Sequence, residues 1–110
     1  MADTGKVDLQ SLAALVERLF DLSMDADVSG VDRQALLAAG RRLRAAFVNV
    51  ASARFDDGLP GLLAANGALQ HSVELAERSR QRVEGTRRLL DSVGKALDAL
   101  DGLLDVAKHL

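Results

Sequence analysis

The chain has no cysteine, tryptophan, tyrosine or isoleucine, and one proline, Pro60. The missing cysteine excludes a disulfide framework, thiol catalysis and thiolate metal sites. Two histidines, His71 and His109, are too few for a histidine-built zinc site within one chain. The aromatics are Phe20, Phe47 and Phe55, so a base-stacking platform for nucleic acid is nearly absent. Scarcity of β-branched and aromatic residues disfavours sheet, and scarcity of proline leaves little except glycine to interrupt a helix. Net charge is −2, which gives no global attraction to nucleic acid or membrane. The first apolar run, Leu9 to Leu22, contains Glu17 and Arg18, so it is neither a signal h-region nor a membrane span. The expectation is cytoplasmic residence, with leaderless secretion as the lesser alternative.

What remains is 110 residues rich in Leu, Ala and Val, enough for one modest core. Leu9, Leu12, Leu15, Val16, Leu19 and Phe20 recur at helical spacing and predict a first helix over about 7–22. An acidic connection follows. Ser29 with Asp32 resembles a capping box and opens a second helix, about 31–55, with Leu36, Leu43, Phe47 and Val50 on its inner face. Asp56 to Gly61 is the clearest turn, since glycine and proline punctuate it closely.

From Leu62 onward one apolar position returns every seven residues: Leu62, Leu69, Ala76, Val83, Leu90, Leu97, Leu104. A second register runs three residues later, from Ala65 through Val93 and Leu100 to Ala107. Seven heptads in phase predict one long helix over about 62–108, roughly 70 Å at about 1.5 Å per residue. The fold class expected is therefore all-α: an N-terminal helix plus a long antiparallel helical hairpin, coiled-coil-like. The alternatives are a fold-back near Gly85, giving a four-helix bundle within one chain, and helices one and two laid end to end along helix three, the first covering its far end.

In the continuous form, helix two is too short to cover the apolar tail. Leaving its six leucines wet forfeits on the order of 10 kcal/mol, at roughly 1.5–3 kcal/mol per leucine. A second copy is the simplest cover. Leu89, Leu90, Val93, Leu97, Leu100, Leu103 and Leu104 are thus the predicted interface of a dimeric bundle, and substituting Leu97 or Leu104 by Glu is expected to dissolve it.

Charge is segregated. Residues 1–32 carry seven acidic and two basic groups, whereas residues 33–55 carry five arginines and no acid. An antiparallel hairpin would bring Arg41, Arg42 and Arg44 level with Arg78, Arg80 and Arg82, a candidate anion-binding patch.

Other motifs carry less. Asp25-Ala26-Asp27-Val28-Ser29-Gly30 resembles half of a calcium loop, but the apolar eighth position is Asp32 and the bidentate twelfth is Leu36. His71 and Glu74 form an i, i+3 pair in the reverse of the bundle-metal order, and read as a surface pair. No nucleophile–base constellation or phosphate loop occurs. The sequence thus reads as a non-enzymatic helical interaction protein, an oligomeric adaptor or chaperone-like subunit without a cofactor. Its partners would be itself and, as a second kind of partner, a helix of another protein, with no membrane role. The competing reading is an anion or nucleic-acid binder using the arginine clusters.

Overall fold

A computed structural model of the chain describes residues 5–25, 28–55, 59–78 and 83–108. They form four helices: α1 (Leu9–Ser23), α2 (Gly30–Val50), α3 (Pro60–Arg78) and α4 (Val83–Lys108). No strand occurs among the described residues. No helix among them is long and apolar enough to cross a membrane.

Local chemistry fixes the helix ends. Asp8 caps α1: its Oδ1 accepts from the Ser11 amide at 3.0 Å. Ser29 caps α2, its Oγ accepting from the Asp32 amide at 3.2 Å. Pro60 occupies the first position of α3, where the missing N–H has no helical partner to lose.

The helices pack as a square. α1 lies beside α2 and α3, and α4 lies beside the same two, while among the described residues no Cα atoms of the diagonal pairs α1/α4 and α2/α3 come within 8 Å. Directions follow from residue pairs. Asp8 bonds Asn66 and Gln70 near the start of α3, and Arg18 pairs with Glu77 near its end, so α1 and α3 run parallel. The α1–α2 turn is short, and Phe20 packs on Gly40, so α2 runs antiparallel to α1. Gly61 lies against Leu103, and Ser72 against Ser92, so α4 runs antiparallel to α3. α2 and α4 are therefore parallel neighbours.

The long third helix expected over 62–108 is instead two helices. In a continuous helix Ser72 and Ser92 would stand about 30 Å apart at ~1.5 Å per residue. Their hydroxyl oxygens are 2.6 Å apart. The longest dimension, 44 Å, also leaves no room for a ~70 Å rod. The heptad persists across the reversal because it records which face is apolar, and both helices face the same core. The fold-back alternative is the one realised, but Gly85 lies inside α4. Residues 79–82, between the two helices, lie outside the described residues.

α2 ends at Val50, short of the expected 55. Its end and the start of α3 stand on opposite corners, so the chain needs slack to cross the diagonal. That crossing passes the N-terminal strap: the Phe55 amide donates to the Gly5 carbonyl at 2.6 Å. Gly5 holds φ at 80°, a conformation that favours glycine. Asn66 fastens the strap to α3, accepting from the Asp8 amide and donating to the Lys6 carbonyl. The core is leucine-dominated, with Leu12, Leu15, Leu19, Leu36, Leu43, Leu69, Leu89 and Leu100 fully buried.

Candidate functional site

The leucines expected to bind a second copy lie inside the chain's own core. Leu89, Val93 and Leu100 are fully buried, Leu97 and Leu103 nearly so, and Leu90 and Leu104 pack partly buried against them. α2 and α3 supply the cover that the continuous-helix reading sought from a partner. The apolar tail is therefore covered within one chain and does not call for a second copy.

The two arginine clusters are not joined either. α2 and α3 occupy opposite corners, so Arg41, Arg42 and Arg44 do not come level with Arg78 on a shared face. Arg80 and Arg82 lie outside the described residues. On α2 all three arginines are exposed. Arg42 Nη2 comes within 4.0 Å of Asp101 Oδ2 on α4. Arg41 and Arg44 make no hydrogen bond or ion pair among the described residues. Their helix also exposes Val31 and Val48, 82% and 72% accessible, with Ala38 and Ala45 between them.

The outer side of α4 carries the opposite charge. Asp91, Asp98, Asp101 and Asp105 are all exposed, with Lys95 the one exposed base between Asp91 and Asp105. The neighbours α2 and α4 thus hold a basic and an acidic surface side by side. Sequence reading recorded the arginines but missed their acidic counterpart, because the Asp residues were submerged in an apolar heptad. Their i, i+3, i+4 and i+7 spacing was the available signal.

The calcium-loop resemblance has another occupant. Arg33 Nε donates to the Ser23 carbonyl at 2.8 Å, and Nη2 to the Asp25 and Val28 carbonyls at 3.2 and 3.5 Å. A guanidinium therefore satisfies the last carbonyl of α1, where the helix dipole favours a cation, and two carbonyls of the connection that follows. Asp27 lies outside the described residues. Among the described residues no group of three His, Cys, Asp or Glu could hold a metal ion.

Clefts of about 410 Å³ open at two places among the described residues. The first surrounds the N-terminal strap, lined by Lys6, Asp8, Gln10, Asn66 and Gln70. Partial burial pushes the Asp8 carboxyl up, but donors from Gln70, Ser11 and the Gln10 amide outweigh it, and the group ends below its usual range. Those contacts tie α1 to α3. The second cleft runs between α3 and α4, lined by His71, Leu75, Arg88, Asp91, Ser92 and Lys95. His71 and Glu74 are exposed and do not bond to each other, so the expected surface pair is not formed.

No protein-family model, curated protein or solved structure matches the chain.

Proposed function

We propose that the protein is a non-catalytic helical interaction module, an adaptor or chaperone-like subunit, that docks helices on its outer surface. The leucine seam is the inside of the bundle, and recognition falls to the exposed sides of α2 and α4. The observation that carries this reading is the sorting of charge. α2 exposes Arg41 and Arg44, which have no partner among the described residues, beside exposed Val31 and Val48, in a stretch from 33 to 55 that holds no acid. A mixed stripe of small apolar groups and unpaired cations suits an acidic amphipathic helix: alanines allow close approach, and carboxylates meet the arginines.

Fluorescence polarisation with a labelled acidic amphipathic peptide tests the reading. Binding that is lost in the Arg41→Glu/Arg44→Glu variant and weakens with salt supports it. The same unpaired arginines keep the anion-binding reading in view. A single-stranded oligonucleotide that binds where the peptide does not would favour that reading instead, with a steep salt dependence.

A further inference from the structure

We infer that the helix received by the α2–α4 face is α4 of a second copy of this chain, in a dimer whose two-fold axis runs parallel to the helices. The inference rests on the interaction-module reading and names its partner.

The charge pattern of this face is self-complementary. α2 contributes Arg42 with no acid from 33 to 55, and the second half of α4 contributes exposed Asp98, Asp101 and Asp105 with no base from 96 to 107. The two helices are parallel and adjacent. A rotation about an axis parallel to them exchanges left for right and keeps every residue at its own height. α2 of each copy then faces α4 of the other. Arg42 already reaches to within 4.0 Å of Asp101 in its own chain, so the two stand at heights that side chains can span. Preserving height brings Arg42 of each copy within reach of Asp101 of the other. The contact occurs twice and closes on itself. An axis across the helices would set α2 on α2 and arginine against arginine, so the charges select the parallel axis.

The shape of the face agrees. Val31, Ala38, Ala45 and Asn49 lie on the same side of α2 as Arg42 by helical spacing, and all are exposed. They offer small side chains to an incoming helix. Opposite them, α4 carries Gly94, where an added Cβ would meet nothing within 4 Å. A glycine weakens a helix, and no neighbour among the described residues uses the space it leaves. A second helix laid along α4 would use it.

Sedimentation equilibrium of the full chain tests the inference, using wild type, Arg42→Asp, Asp101→Arg and an equimolar mixture of the two variants. Wild type should approach twice 11.7 kDa at low salt and high concentration. Each variant alone should sediment as a monomer with unchanged helical circular dichroism, with dimer association weakened about tenfold or more. Mixing should restore the dimer, because each variant then meets its complement in the other chain; a contact made only within one chain could not respond to mixing. A monomeric wild type at every concentration overturns the inference, as does a dimer that persists in both single variants or fails to return in the mixture. If the chain stays monomeric but binds the acidic peptide through Arg41 and Arg44, the self-pairing falls and the interaction-module reading stands. If neither binding occurs, both fall.

Discussion

The hydroxyl oxygens of Ser72 and Ser92, on antiparallel helices α3 and α4, lie 2.6 Å apart inside the bundle. Ser72 Oγ also bonds the Ala68 carbonyl at 2.8 Å, which can only accept. Ser72 therefore spends its single proton on Ala68, and Ser92 is the donor between the serines. Replacing Ser72 by Ala leaves the Ser92 hydroxyl buried without that partner, a loss of about 1–3 kcal/mol. Replacing both serines by Ala removes the orphan and should cost less than the single change. Urea unfolding followed by circular dichroism gives the comparison. Additive losses in the double variant would mean that the hydroxyls do not act as a pair.

The same two serines show what a sequence can and cannot announce. Helical class, the stripe of α1, the Ser29 cap and the break at Pro60 were legible because each rests on neighbours within four residues. The reversal after α3 was not. Ser79-Arg80-Gln81-Arg82 contains no Gly, Pro, Asn or Asp, and the heptad runs through it without a slip. An apolar period states which side of a helix is buried, not whether the helix is one piece. Pairings across the bundle, such as Arg42 with Asp101 and Arg33 with the carbonyls of Ser23, Asp25 and Val28, depend on where the chain turns back. They became visible only once it had.

Leu97 separates the core from the interface originally expected there. It is 3% exposed and packed between helices of one chain. Leu97→Ala should lower unfolding free energy by roughly 2–5 kcal/mol. Leu97→Glu, burying a charge with no partner, should abolish cooperative unfolding rather than release a folded monomer. Leu104→Glu, at a half-buried position, should be milder. A Leu97→Glu chain that keeps full helicity and a sharp transition would show this leucine to be outside the core.

Glycines of α2 and α4 should respond oppositely to alanine. A Cβ on Gly40 would sit 3.1 Å from Cε1 and Cζ of Phe20, so the ring must give way. A Cβ on Gly94 or Gly102 meets nothing. Gly94→Ala and Gly102→Ala should each stabilise the dilute monomer by up to about 1 kcal/mol, the helix preference of alanine over glycine. Gly40→Ala should gain less or lose, and Gly40→Val should lose clearly. Thermal midpoints at low concentration order the set. Gly40→Ala matching Gly94→Ala would mean that Phe20 does not press on α2.

Asp8 should make stability depend on pH in acid. Its carboxylate accepts from the Ser11 amide, the Ser11 hydroxyl and Gln70 Nε2 at 3.0, 2.9 and 2.9 Å. These donors favour the charged form and hold its pKa below the usual aspartate range, against the opposing effect of burial. A depressed folded-state pKa means that the unfolded chain takes up the proton first as pH falls. The stabilisation is therefore complete above the unfolded value and disappears as pH drops through the lower native one. Asp8→Ala should cost about 1 kcal/mol at neutral pH, the usual loss of a helix cap. The cost should shrink below about pH 4, where the unfolded wild-type carboxyl also becomes neutral. Asp8→Asn, which keeps an oxygen for the Ser11 amide, should retain part of the stability and lose its pH dependence. Unfolding free energies of the three proteins across this range decide it. A wild-type curve parallel to that of Asp8→Ala down to low pH would detach the cap from the acid limb.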